Sequence, residues 1–361
     1  MIVQWRKHLE NKNLTEEQYA AVHAKQDKIV VTACPGSGKT TVITERVKHL
    51  LAIGVKPKDI VAITFTNLAA QEMQLRVNCT DNDLFIGTIH AYANKQLKNI
   101  GINGTSYIRG TNFDILLKLC LNKELTLKSK HVLIDETQDL SLLEYDFIFH
   151  LPTKNRFFVG DQNQAIYGFK GGCVDAMSKL AYERGYTEYP LTINFRTPDI
   201  IFNFAKNQLP PHHYDIGDVF CSTEIHGRIS RSTYINAMQG IKNAGNYKDW
   251  FVLARTNKEV NILKQKLSSL DVPYVSFAKS ECTLEEIKKY LEGDMVKVLT
   301  IHMAKGLESP NVVVIGTRTW DDEEFRISYV AATRASKKLI WCPAIQFEKK
   351  KKPTKIRKGF H

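Results

Sequence analysis

Short apolar runs alternate with amphipathic stretches over most of the chain, and the alternation falls into two series. In the first, Lys28–Ala33, Asp59–Thr66, Leu84–Ile89, His131–Asp135 and Arg156–Gly160 read as strands. Helical periodicity lies between them, as in Lys39–Leu51, which Gly54 closes. In the second, strands are predicted at Tyr189–Phe195, Arg228–Tyr234, Asp249–Arg255, Pro273–Ala278, Met295–His302, Asn311–Gly316 and Lys338–Pro343. Helices are predicted there at Asp199–Lys206, Glu259–Leu270, Leu284–Leu291 and Phe325–Ala335, with Thr283 and Glu286 forming a capping box. Near-continuous apolar strands separated by helices imply parallel sheets covered on both faces. The predicted class is therefore α/β, with two tandem domains at 1–187 and 188–345 and a tail at 346–361.

Composition narrows the setting. No stretch approaches the roughly 20 apolar residues that cross a bilayer, and Met1–Glu10 lacks a signal-peptide pattern, so a cytoplasmic protein with no membrane partner is expected. Seven scattered cysteines without a Cys-x-x-Cys pair read as reduced thiols, with no zinc site. The net charge of +12 points to a polyanionic partner. Half of that excess sits in Phe347–His361, where seven Lys/Arg face one Glu, and this tail reads as a disordered basic end.

Two stretches carry candidate chemistry. "ACPGSGKTT" (33–41) follows a buried strand and opens a helix, the setting of a phosphate-binding loop. Ala33 stands where the usual pattern has its first glycine, followed by Cys34 and Pro35. Gly36 and Gly38 let the backbone curl, so that the N–H groups of the loop 34–41, all but Pro35 (Ser37 and Thr41 among them), can face phosphates. Lys39 would reach the β/γ oxygens and Thr40 would ligate Mg²⁺. The second stretch, "HVLIDETQD" (131–139), ends an apolar strand in two carboxylates. Asp135 suits the metal ion of an ATP complex, and Glu136 can orient or deprotonate an attacking water.

Seven further stretches stand in order with these: "LTEEQYAAV" (14–22), "ITFTNLAAQEM" (63–73), "IGTIHAYA" (86–93), "FFVGDQNQAIYGFKGG" (157–172), "LTINFRTPDII" (191–201), "VLTIHMAKGLESPNVVV" (298–314) and "ISYVAATRASKKLI" (327–340). The set resembles the UvrD/Rep/PcrA family of superfamily 1 DNA helicases over nearly the whole chain. The resemblance implies two RecA-like domains with ATP in the cleft between them. It assigns Gln18 to the adenine, although Gln18 also completes a capping box with Thr15. It places Phe195 on the base, Glu308 on the ribose and Gln164 on the γ-phosphate, with Arg196 and Arg334 as arginine fingers. It makes Phe65, Tyr167 and Phe169 base-stacking rings and Thr66, Thr88, His90 and His302 backbone contacts.

Relatives of this family insert one accessory domain where this chain has only residues 91–130, and another after "VPYVSF" (272–277). Both look reduced here, the first to a small helical insertion, a compactness similar to that of phage or viral helicases. The expected function is an ATP- and Mg²⁺-dependent motor moving 3′ to 5′ on single-stranded DNA and acting at single-strand/duplex junctions, built as a monomeric core. The alternatives are an RNA-directed motor, or a nucleotide-switched translocase or clamp that does not unwind by itself.

Overall fold

The computed structural model describes residues 14–110, 112–123, 130–215, 217–278, 282–317 and 320–345; the basic tail lies outside the described residues. The chain forms two six-stranded sheets in which all strands are parallel. The first holds β1 (Lys28–Ala33), β2 (Ile60–Thr64), β3 (Phe85–Thr88), β4 (His131–Ile134), β5 (Asn155–Gly160) and β6 (Thr187–Leu191) in the order β3-β2-β4-β5-β1-β6. After a two-stranded ribbon of β7 (Ile193–Asn194) and β8 (Phe220–Cys221) comes the second sheet. It holds β9 (Arg228–Arg231), β10 (Trp250–Ala254), β11 (Tyr274–Val275), β12 (Val296–Thr300), β13 (Ser309–Ile315) and β14 (Ala335–Cys342), ordered β11-β12-β10-β13-β14-β9.

Each sheet buries both faces, which is why its inner strands read as unbroken apolar runs. Val30, Ile63, Val132 and Phe158 pack into one cluster, while their strand neighbours Val31, Ala62, Leu133 and Phe157 pack into another on the opposite face. The second sheet repeats this, with Phe251, Leu253 and Val312 on one side and Val252, Val298 and Val313 on the other. Each such side chain contributes about 1.5–3 kcal/mol, so a carboxylate at Val30 or Val252 would break the layer on that side. Lys297 is the exception within β12. Fully buried, it survives because its Nζ donates to the carbonyls of Lys248 (2.7 Å) and Gly293 (2.9 Å).

The structure corrects one strand. Tyr189–Phe195, read above as the opening of the second series, is split. Thr187–Leu191 pairs with β1 as the last strand of the first sheet, and only Ile193–Asn194 lies beyond it. Periodicity does not report which sheet a short strand joins. Its edge position also explains how Pro190, opposite Thr32, is tolerated there.

The helices of the insertion, Ile89–Asn99 and Asp114–Leu121, pack with Leu142–His150. Their Leu97, Leu116, Leu117 and Cys120 join the core on one face of the first sheet. In the second domain the loop after Asp199–Lys206 returns to the first. There Asn163 Nδ2 donates to the Tyr214 carbonyl (2.8 Å), and the Tyr214 hydroxyl donates to Glu188 (2.6 Å).

Candidate active site between the two sheets

The phosphate-loop candidate turns at the end of β1. Cys34 N–H donates to the Leu191 carbonyl (3.1 Å), and the Ser37 N–H and hydroxyl both donate to the Cys34 carbonyl (3.3 and 2.8 Å). Gly36 and Gly38 adopt φ of +74° and +85°, which favours glycine. A Cβ on Gly36 would also lie 2.6 Å from Asn194 Oδ1 and 2.7 Å from Arg196 Cβ. Gly38 caps the helix Lys39–Ala52, whose first turn carries Lys39, Thr40 and Thr41, all half-buried. Cys34 and Pro35, the departures from the usual pattern, are buried under the turn and leave its course intact. Burial, with Asp161 nearby, pushes the Cys34 thiol up to about 12, so it stays protonated.

Gln18 is engaged at both ends of its amide. Its Oε1 accepts from Thr15 N–H (3.1 Å), completing the capping box, and its Nε2 donates to the Ser37 carbonyl (2.9 Å). Phe195 stands over the loop through its N–H to the Gly36 carbonyl (3.1 Å), its ring about half exposed.

Asp135 extends the β4 ladder by donating its N–H to the Ile63 carbonyl (2.9 Å). Glu136 follows at φ +49°, a strained conformation for a side-chain-bearing residue. Asp135 Oδ1 accepts the Glu136 N–H (2.9 Å), and Gln138 Nε2 donates to Glu136 Oε2 (2.6 Å). The relay continues from Asp161 N–H to Gln138 Oε1 (3.0 Å) and from Gln164 Nε2 to Asp161 Oδ2 (2.6 Å). Burial and the adjacent Glu136 raise the Asp135 carboxyl to about 7. Burial acts the same way on Glu136, but Lys39, Lys305 and the Gln138 hydrogen bond outweigh it and hold that carboxyl low, at about 2. Asp135 and Glu136 present oxygen donors, the type of ligand that Mg²⁺ takes.

The second domain closes this site. Arg334, 1 % exposed, is fixed by Val330, Leu307 and Thr333 and points Nη2 at Gln164 Oε1 (3.5 Å). Burial, then Arg196, lowers its pKa to about 9. Arg196 forms an ion pair with Glu308, so these two candidates meet each other. Three residues absent from the sequence reading add cross-domain bonds. Lys305 Nζ donates to Asp139 Oδ2 (2.5 Å) and to the Gln164 carbonyl (2.7 Å), and Arg326 Nε donates to the Ala165 carbonyl (2.9 Å). Lys305 and Asp139 lie inside quoted motifs, but pairing across 166 positions leaves no local pattern.

Beyond Gln164 the same segment enters a ring cluster. Tyr167 lies 5.0 Å from Phe65, 5.9 Å from Phe169 and 5.6 Å from His302, centroid to centroid. Lys305 Nζ is 5.4 Å from the Tyr167 ring, and His302 Nε2 is within 3.1 Å of the Ile166 carbonyl. Phe169 is 66 % exposed and lines, with His302, Arg255 and Phe277, a cavity of about 700 Å³. Arg255, also missed, is held by Glu324 (2.8 Å). Thr66 and Thr88 cap the helices Asn67–Val77 and Ile89–Asn99. His90 is not brought into the ring cluster and pairs instead with Asp114 (3.1 Å). Among the described residues no group of three His, Cys, Asp or Glu is placed to hold a metal, and no helix is long and apolar enough to cross a membrane.

Comparison with known proteins agrees with this geometry. The AAA domain family matches residues 18–170, and the UvrD-like helicase C-terminal domain matches 295–341. The chain is 25% identical to a probable DNA helicase of Mycoplasma pneumoniae, over 91% of this chain and 83% of that protein. It is 25% identical to a probable DNA helicase II homolog of Mycoplasma capricolum (72% and 51%). It is 23% identical to the ATP-dependent DNA helicase PcrA of Staphylococcus epidermidis (73% and 50%). It thus spans most of the first relative and about half the length of the other two.

Proposed function

The chain belongs to the UvrD-like superfamily 1 helicases, and on that premise we propose that it is an ATP-hydrolysing motor that moves 3′ to 5′ along single-stranded DNA. One observation carries the coupling. The segment Asp161–Phe169 holds Gln164 at the nucleotide end and Tyr167 and Phe169 at the ring cluster. The second domain grips it at both ends, through Arg334 and Lys305 at Gln164 and through His302 at Ile166. A change at Gln164 is therefore carried within three residues to the stacking rings.

In the proposed cycle the N–H groups of the loop and Lys39 bind the β- and γ-phosphates of ATP. Thr40 and Asp135 would hold Mg²⁺, which would supply charge neutralisation for the phosphates. Glu136, kept ionised beside Lys39, accepts a hydrogen bond from the attacking water and takes its proton as the water's oxygen bonds to the γ-phosphorus and the bond to the β,γ-bridging oxygen breaks, releasing ADP and phosphate. Arg334, already desolvated beside Gln164, offers a full positive charge to the γ-phosphoryl oxygens. Arg196 reaches the same oxygens by exchanging Glu308 for phosphate, freeing Glu308 for the ribose. Phe65, Tyr167 and Phe169 hold bases by stacking, which is tolerant of sequence as a translocating motor requires.

Strand displacement on duplexes with 3′ or 5′ tails tests this reading. Displacement from the 3′-tailed substrate supports it, and displacement only from the 5′-tailed one overturns the polarity. A second reading, a translocase or clamp that does not unwind alone, is favoured by the insertion. Its helices are built into the core of the first domain. ATPase stimulation by single strands without displacement would select that reading.

A further inference from the structure

A second cavity, of about 650 Å³, lies at the end of the first sheet opposite the phosphate loop, where its inner strands β1, β4 and β5 begin. Its walls are apolar, with Ile29, Leu133 and Phe157, and its mouth carries the exposed side chains of Tyr19 and Ile53. Tyr19 stacks on His23 with ring centroids 3.9 Å apart, and His23 meets His49 edge-on at 4.4 Å.

One buried guanidinium group faces this space. Arg46 is 7 % exposed; its Nη1 donates to the carbonyls of Val22 and Ala24 (both 2.7 Å), while its buried Nε has no acceptor. Arg156 starts β5 at the cavity floor but turns its guanidinium to the other face of the sheet, where Nη2 donates to the Leu151 carbonyl (2.9 Å) beside the Phe149 ring. Arg46 has no carboxylate at ion-pair distance among the described residues. The rim adds one acid, Asp27, and one further cation, Lys25. A buried cation without a counter-charge is costly, and a bound anion removes that cost. The imidazoles respond to the same field. His49 is held down at about 4 by burial, His23 and Arg46, and His131 is lowered by burial and Arg46.

Apolar walls, a stacked aromatic rim and a buried cation with an unpaired donor in a cavity of this size describe a small-molecule site. We propose that this cavity binds a planar aromatic anion of nucleotide size, a nucleoside monophosphate being the type, with its anionic group toward Arg46 and its ring system on Tyr19. This site is separate from the interdomain cleft. Arg46 and His49 lie on the helix Lys39–Ala52 that begins at the phosphate loop, so a ligand here contacts the element that carries Lys39 and Thr40.

Isothermal titration of the full chain with AMP, with adenosine and inorganic phosphate as separate arms, tests the proposal. Lys39→Ala should leave AMP binding at this site intact. Tyr19→Ala and His49→Ala should each weaken it by about tenfold or more, the loss expected for a removed stacking or wall contact, with basal ATPase unchanged. Adenosine and phosphate alone should each bind more weakly than AMP. Arg46→Gln also removes the bonds to Val22 and Ala24 and would disturb the fold, so the exposed Tyr19 is the deciding position. The proposal is overturned if AMP does not bind, if Lys39→Ala abolishes binding while Tyr19→Ala does not, or if phosphate binds as tightly as AMP.

Discussion

Replacing Lys305 by Met removes the charge that joins the two domains at Asp139 and Gln164. The pair is buried, with side chains 7 % and 1 % exposed and 2.5 Å between Nζ and Oδ2. Attraction at that distance is about 7 kcal/mol at an effective dielectric of 20, and much of it offsets the desolvation of both groups. What matters in the variant is the orphaned Asp139, whose other oxygen already lacks a partner. Burial raises its carboxyl to about 7 even with Lys305 opposing, so the variant's Asp139 escapes by taking up a proton. Breaking one side of a buried pair typically costs about 3–5 kcal/mol. Loss of Lys305 moves the folded Asp139 pKa above 7, so parent and variant differ little below pH 7, where the folded carboxyl is protonated in both, and the deficit grows as pH rises above it. Urea unfolding of Lys305→Met, Asp139→Asn and the double variant should give a loss of about 3–4 kcal/mol for Lys305→Met at pH 9, shrinking at pH 6. The double variant should recover about 2 kcal/mol relative to additivity. A loss below about 1 kcal/mol, or strict additivity, refutes the claim that this ion pair clamps the domains.

His49 gives a pH dependence of opposite sign. Its folded pKa is lowered from 6.5 to about 4, so the stability it permits is full above pH 6.5 and is lost as pH falls toward 4. The ceiling is about 3 kcal/mol and the partial exposure of the ring reduces it to about 1–2, so His49→Gln should flatten thermal stability between pH 7 and 4.5 by that amount. Tyr167→Ala should raise the DNA concentration needed for half-maximal ATPase stimulation by about 10–100-fold while basal turnover survives. Unchanged stimulation would remove Tyr167 from the track. Glu136→Gln should abolish turnover with nucleotide binding retained in a filter assay, whereas Lys39→Ala should weaken binding itself.

Much of this architecture is legible before folding because parallel strands covered on both faces carry an apolar run that needs no partner to be recognised. The helix starts were readable for the same local reason. Thr15 with Gln18 and Thr283 with Glu286 both form the capping boxes their spacing implies. Ser141 with Glu144 forms an equivalent box before Leu142–His150, and Thr233 caps Tyr234–Ala244, two helices beyond those predicted above. What stayed hidden depends on tertiary pairing. Thr187–Leu191 joins the first sheet because β1 has a free edge, which no feature of "TEYPL" announces. Arg196 and Glu308 were each assigned to the nucleotide, yet their opposite charges meet directly in the structure without it. Lys305, a lysine among helix and turn signals, became informative only once Asp139, Gln164 and Tyr167 surrounded it.

The proposed coupling joins phosphate chemistry at Gln164 to strand binding at Tyr167, three residues away. Steady-state ATP hydrolysis by the full chain, measured against increasing unstructured single-stranded DNA, reads that coupling directly. The rate should rise by about tenfold or more and saturate. A rate that stays flat across the titration, for DNA and for RNA alike, would contradict it.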